Sequence, residues 1–281
     1  MAQPNLRLAA LTTLAMLAFA ANSVLCRLAL ARTAIDPAAF TLARLACGAV
    51  VLLAIALFTG RARKIGGSWS GAAALFVYAA AFSFAYVSLP AGAGALLLFG
   101  AVQATMILYG LARGERMRAL QWLGLGLALG GLVALLAPGA SAPSPHGAAL
   151  MLAAGAAWGV YSLIGRTAGD PFLATSGNFL RAAPMAAALA LAFGFRHGLD
   201  MQGLYYAALS GGIASGLGYV IWYAALPGLS ATQAASVQLS VPVIATIGGA
   251  LLLGEAISSR QIGAALAILG GIALVIAMRK R

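Results

Sequence analysis

Tyr86-Val87-Ser88-Leu89-Pro90 closes one apolar stretch of the chain, and Tyr223-Ala224-Ala225-Leu226-Pro227 closes another 137 positions later. The same order of landmarks recurs on either side of this pair. Asn22-Ser23-Val24-Leu25-Cys26-Arg27 is matched by Tyr161-Ser162-Leu163-Ile164-Gly165-Arg166, with Ser and Arg at the same spacing and Phe19 opposite Trp158. Arg44 is matched by Arg181, Gly114-Glu115 by Gly254-Glu255, Gln121 by Gln261, and Gly130-Gly131 by Gly270-Gly271. The offsets stay between 137 and 140. One such match means little in a chain rich in Ala and Leu. Six in one order, at nearly one offset, indicate an internal duplication.

Between these landmarks the chain is apolar. Of its 281 residues 63% are hydrophobic and 8% charged, and the mean hydropathy is +0.98. A soluble domain carries about 25% charged residues, so a soluble fold is excluded. The apolar runs are continuous rather than alternating, which excludes outer-membrane strands. Ten runs are long enough for membrane helices, which need about 20 residues: 8–30, 38–59, 69–89, 91–111, 119–137, 146–167, 172–194, 203–225, 229–253 and 259–278. Ala18-Phe19-Ala20 resembles a signal-peptide cleavage site. The first run continues past it and has a partner in the second half, so it reads as a retained helix. The linker-like stretch from Pro138 to Pro145 divides the chain into repeats 1–140 and 141–281.

Each half holds five spans, an odd number, so the second enters the membrane from the opposite side. The expected fold is an all-α integral membrane protein of ten transmembrane helices in two inverted five-helix repeats, an architecture common among secondary transporters. The net charge of +12 comes from 17 basic and 5 acidic residues. The basic residues sit in short loops, so they read as topology signals and lipid contacts, with no nucleic-acid partner. With the N-terminus inside, the inner segments carry Arg7, Arg61, Arg63, Lys64, Arg113, Arg116, Arg118, Arg166, Arg279, Lys280 and Arg281; the outer ones carry Arg27, Arg32, Arg196 and Arg260. This bias predicts both termini on the cytoplasmic side of a bacterial inner membrane. Cys26 and Cys47 give no disulfide framework and no metal-ligand spacing, and no cofactor is expected.

Val241-Pro242-Val243-Ile244 through Leu253-Gly254-Glu255, then Ile257, Arg260-Gln261 and Gly270-Gly271, resembles the second repeat of the drug/metabolite transporter superfamily in its ten-helix EamA-type branch. Within that branch the chain looks most similar to bacterial aromatic amino acid exporters. The resemblance implies export of amino acids and related small metabolites, and the inverted repeats point to alternating access. The first repeat departs from it at Gln103, which stands near where the branch often carries a proline.

Polar groups in hydrocarbon are costly and lie against protein or water. Asn22, Ser23, Gln103, Ser162, Asn178, Gln233, Gln238 and Ser240 are such groups. They read either as the wall of a hydrated cavity for a zwitterion or as contacts between helices. Pro242 frees a carbonyl in the preceding turn, which favours the cavity reading for Gln238 and Ser240. Tyr78, Phe82 and Tyr86 are spaced by four and share a helix face, as do Tyr219 and Tyr223; Trp222 lies beside them, and Trp158 and Tyr161 form an i, i+3 pair. These rings are candidates for a wall suited to aromatic or bulky aliphatic solutes. Arg44, expected toward the outer face, and Arg181, toward the inner, are gate candidates, with Pro242; the alternative for the arginines is snorkelling onto backbone carbonyls.

No acid lies mid-span: Asp36, Asp170 and Asp200 fall in loops, and Glu115 and Glu255 at span ends. His146 and His197 are also near ends. The expectation is facilitated, uniport-like movement rather than proton coupling. No paired acids, His cluster or nucleophile–base pair suggests an enzyme. A multidrug or other metabolite exporter and a passive channel are the alternatives. The partners expected are a small-molecule solute and the bilayer, with the protein a monomer or a homodimer through its small-residue fifth and tenth spans.

Overall fold

The computed structural model describes residues 6–114, 116–139, 142–166, 168–193, 200–229 and 231–277. Glu115, Arg196, His197, Arg279, Lys280 and Arg281 lie outside the described residues. Every regular element among those described is helical.

The first repeat is five unbroken helices: α1 (Leu6–Arg32), α2 (Pro37–Phe58), α3 (Trp69–Tyr86), α4 (Ala91–Ala112) and α5 (Ala119–Leu136). The second begins with α6 (Pro145–Gly165) and α7 (Pro171–Phe193). Its third rod is composite: α8 (Met201–Ala208), a π-helical stretch Leu209–Leu217 and α9 (Gly218–Ala225). Its fourth is broken at Leu239 into α10 (Ala231–Gln238) and α11 (Ser240–Leu253); α12 (Ser259–Ala277) is the fifth. The ten rods match the ten expected spans to within a few residues. The sequence reading took the ninth span as continuous, and the break is the difference. Proline at 242 has no N–H to give the helix, and Ser240 Oγ donates to Val237 O at 2.6 Å within the interrupted turn.

Nine helical segments among the described residues are long and apolar enough to cross a membrane. The remaining rod, α7, is 23 residues long and carries Asn178, Arg181 and Pro184, which lower its hydropathy.

Packing follows the duplication. α3 and α4 both pack on α6; in the mirror arrangement α9 and α11 both pack on α1. α2 packs on the π-helical stretch as α3 packs on α7. The pairs α2–α7 and α5–α12 are their own mirror images. In the α5–α12 seam, a methyl at Gly124 would meet Gly271 O at 2.6 Å, and one at Gly271 would meet Gly124 O at 2.4 Å. Bare backbone lets these helices touch, which is how small residues join helices in lipid.

Polar ties identify the two faces. On one face Arg61, before α3, pairs with Asp170, before α7. On the other, Arg260, in the first turn of α12, donates to the carbonyls of Ala137 and Pro138, after α5. Also there, Arg27 near the end of α1 meets Glu255 after α11. α1 and α6 thus end on opposite faces, as inverted copies require.

Candidate functional site

Between the repeats lies a cavity of about 930 Å³. Its inner end is formed by Asn22 and Ser23 of α1, Tyr78 and Phe82 of α3, Leu98 of α4 and Ser215 of the π-helical stretch. It reaches the face that carries exposed Arg116 and Arg166. Its middle is aromatic. The Trp158 ring is stacked on Tyr161 at 5.2 Å and on Tyr219 at 5.4 Å, and tilted against Tyr78 at 4.7 Å. Tyr219 stacks on Tyr223 at 6.2 Å, and Phe19 meets Tyr219 and Trp222 at 5.8 and 6.0 Å. This wall draws on α1, α3, α6 and α9, and so on both repeats.

Two hydrogen-bond chains run through the wall. Ser210 Oγ donates to Asn22 Oδ1 at 2.6 Å. Asn22 Nδ2 then donates to the Tyr78 hydroxyl at 3.2 Å, and Arg44 Nη2 donates to the same hydroxyl at 3.0 Å. In the second chain, the hydroxyls of Tyr161 and Tyr223 lie 3.1 and 2.8 Å from Thr175 Oγ1. Buried hydroxyls in an apolar bundle need such partners.

The structure brings thirteen of the fifteen proposed solute-contacting residues to this cavity: Asn22, Ser23, Tyr78, Phe82, Gln103, Trp158, Tyr161, Ser162, Asn178, Tyr219, Trp222, Tyr223 and Gln238. Several also have structural partners. Ser162 Oγ donates to Trp158 O, and Asn178 Oδ1 accepts from Ser68 N, tying α7 to the start of α3. Two residues lie elsewhere. Tyr86 is one turn beyond Phe82, beneath the cavity floor; its ring meets Phe82 edge-on at 4.7 Å and its hydroxyl donates to Ala91 O at 3.2 Å. Ser240 is occupied at the α10–α11 break and, like Pro242, does not line the cavity.

The two arginines expected toward opposite faces behave differently. Arg181 Nη1 donates to Gly66 O at 2.7 Å and Gly177 O at 2.9 Å, with the Trp69 ring 5.9 Å away. It clamps the α2–α3 connection to α7 through backbone carbonyls. Arg44 is buried within the bundle. It is 2% exposed, with its guanidinium 4.8 Å from the Phe82 ring centre and 5.2 Å from that of Tyr78. Aromatic faces hold a desolvated cation, which is why it turns into the bundle.

Sequence reasoning missed Thr175 and Ser215 as lining residues, and it noted Phe19 only as the repeat partner of Trp158. Thr175 lies one turn before Asn178, a usable signal. Ser215 sits in a glycine-rich run whose π-helical form no sequence feature announced.

The face away from the mouth is closed by a compact network. Arg27 Nε donates to Glu255 Oε1 at 3.0 Å, and Arg27 Nη1 donates to Tyr86 O and Val87 O, each at 3.0 Å. Glu255 Oε2 accepts from Ala91 N at 2.7 Å. Arg32 Nη2 donates to Leu253 O at 2.7 Å. One ion pair therefore fastens the ends of α1, α3 and α11 to the start of α4.

The sequence profile of the EamA-like transporter family matches the chain twice, over residues 7–137 and 145–277. A Pseudomonas aeruginosa protein named "Uncharacterized protein PA1977" is 60% identical over 277 residues, covering 98% of this chain and 96% of the relative. A protein of known crystal structure shares the fold at 22% identity and a TM-score of 0.67, over 95% of this chain and 99% of that one. An all-helical bundle of inverted repeats around a two-repeat cavity agrees with these matches, and the chain belongs to the EamA-like transporter family, multi-pass membrane transporters of small solutes.

Proposed function

We propose that the protein exports neutral, chiefly aromatic, amino acids and related small metabolites from the bacterial cytoplasm by alternating access. The observation that carries this reading is the aromatic cavity, built by both repeats, reachable from one face and shut from the other by the Arg27–Glu255 network. Solute pockets are typically about 300–1,000 Å³ and largely apolar, with a few placed polar groups; Trp158, Tyr161, Tyr219 and Trp222 beside Asn22, Gln103 and Asn178 fit that description. The positive-inside rule supports an open mouth, with Arg116 and Arg166, on the cytoplasmic side of the inner membrane. The conformation is then the one that loads solute for export. The units 1–140 and 141–281 exchange shapes to reach the other state, as inverted repeats permit. No acid lies mid-span, so movement is downhill and uncoupled to protons.

The test is counterflow in proteoliposomes containing the purified protein. Labelled tryptophan or phenylalanine is expected to accumulate transiently against an unlabelled trans pool, and an imposed pH gradient is expected to change the rate by less than about twofold. Linear, unsaturable flux without counterflow would identify a channel instead. Preferential movement of cationic drugs would identify a multidrug exporter.

A further inference from the structure

We propose that the solute is recognised by its carboxylate, with Arg44 as the positioning charge and Tyr78 as the contacting donor, and that its amino group is dispensable, so that an amine-free carboxylate is also carried, as an anion. The proposal rests on the transporter reading above and narrows its solute class.

A guanidinium stays ionised and offers five N–H donors. In Arg44 one, on Nη2, reaches Tyr78, while Nε and Nη1 are buried with no hydrogen-bond partner. The ion pairs among the described residues are Arg27–Glu255 and Arg61–Asp170, so neither supplies Arg44 with a counter-charge. A buried charge is normally paired. The rings of Tyr78 and Phe82 offset part of the cost, and a net positive charge remains directly behind the cavity wall.

That charge acts through Tyr78. The phenolic oxygen has two lone pairs, and Asn22 Nδ2 and Arg44 Nη2 occupy both. Its own proton is therefore left to donate, and the two donors polarise it. Ser215 lines the same cavity, is 2% exposed, and has a hydroxyl oxygen without a partner. The inner end thus offers the Tyr78 hydroxyl proton with a cation behind it, and the unpartnered Ser215 hydroxyl is buried in the same wall, an arrangement for an oxyanion.

The remainder of the cavity agrees. Its charged lining residues among those described are Arg116 and Arg166, at the mouth; no described carboxylate lines it. The potential is positive at both ends and the middle is apolar. An apolar body with one carboxylate fits throughout, whereas a lone amine finds no counter-charge among the described lining residues. Driving force follows as well. A membrane potential of about 100 mV, inside negative, favours outward movement of one negative charge by about 50-fold at equilibrium. A carrier with no proton-binding residue mid-span is then still driven.

The experiment compares tryptophan, indole-3-propionate (no amine) and tryptamine (no carboxylate) in proteoliposomes, each corrected for protein-free vesicles. Indole-3-propionate is expected to move with a KM within about threefold of that of tryptophan, and tryptamine at least about tenfold more weakly. A valinomycin-set potassium potential of about 100 mV is expected to shift the indole-3-propionate distribution by about 50-fold and to leave zwitterionic tryptophan unchanged. Arg44→Gln removes the carboxylate preference while Arg44→Lys keeps part of it. If Arg44→Gln does not fold, Tyr78→Phe keeps the ring and removes the hydroxyl; it is expected to raise KM for both carboxylates and leave tryptamine unchanged. The proposal is overturned if tryptamine moves as well as indole-3-propionate, if only tryptophan moves, or if Tyr78→Phe affects all three alike. If none of the three moves, the aromatic-solute reading fails separately; 4-methylpentanoate against isoamylamine then decides the anion question, equal movement or movement of neither overturning it.

Discussion

Arg27 and Glu255 lie 228 positions apart in the chain and 3.0 Å apart in space, and together they close one face of the bundle. Each has a counterpart in the other repeat. Arg27 corresponds to Arg166 at an offset of 139, and Glu255 to Glu115 at an offset of 140. Arg166 is now exposed at the cavity mouth.

The first prediction is that the mirror pair closes when the present pair opens. In a background with Cys26 and Cys47 replaced by Ser, a disulfide between R27C and E255C is expected to exclude one between R166C and E115C. Either bridge alone is expected to stop counterflow, and reduction to restore it. In the charge-reversal series, E115R and R166E are each expected to slow transport and the E115R/R166E double variant to recover most of the rate, measured as efflux from loaded vesicles. Simultaneous formation of both bridges in one molecule would disprove the exchange.

Gly211 tests the contact between α2 and the π-helical stretch. A methyl there would meet Arg44 O at 2.0 Å, whereas one at Gly126 meets nothing within 4 Å. Gly211→Ala is expected to destabilise the protein by roughly 1–3 kcal/mol, the usual cost of overpacking. Gly126→Ala is expected to be neutral or slightly stabilising, since alanine favours a helix over glycine by about 1 kcal/mol. Thermal unfolding in detergent compares the two.

Trp158 stacks on two tyrosines and touches a third. Aromatic pairs contribute about 0.5–1.5 kcal/mol beyond their buried area. Trp158→Ala is expected to raise KM for an aromatic solute about tenfold with a smaller change for an aliphatic one. Trp158→Phe should stay within about threefold. Equal losses for both solutes would mean that the ring only supports the bundle.

Asp200 gives a pH prediction away from the cavity. Its carboxylate accepts from Gly203 N and from Ala34 N, the latter at 2.6 Å, and these bonds hold its pKa below the ordinary carboxylate value. A depressed carboxyl stabilises the fold above its unfolded pKa, about 3.9, and that contribution is lost as pH falls through the lower folded value. Melting curves of wild type and Asp200→Asn are therefore expected to differ at pH 7 and to converge below about pH 4. A gap that persists at low pH would remove the carboxylate as its cause.

The sequence made the fold legible where a signal was repeated. The ten spans and their inversion follow from apolar run lengths and from landmarks such as Tyr86/Tyr223 and Glu115/Glu255, because hydrocarbon admits few backbone solutions. Most cavity residues were legible for the same reason: Asn22, Asn178 and the Tyr219–Tyr223 face stand out against Ala and Leu. Tyr86 was misplaced because spacing by four assigns a face and not a depth along it. Ser240 was misplaced because a hydroxyl beside a helix break has a local acceptor at hand. Arg44 could not be located, since its burial depends on rings from a different helix, and the closed network at Arg27 joins residues that are distant in the chain. The π-helical stretch was not legible in the sequence; it packs on α2, a partner distant in the chain.

The seam between α5 and α12 sets a limit on how this protein can drift. Elsewhere the two copies have diverged, as Asn22 against Tyr161 and Gln103 against Val243 illustrate. At Gly124 and Gly271 each backbone occupies the space that the other's first side-chain carbon would need. A mutation in either half is felt at once by the other, so this strip is where the descendants of a doubled gene have least freedom to part company.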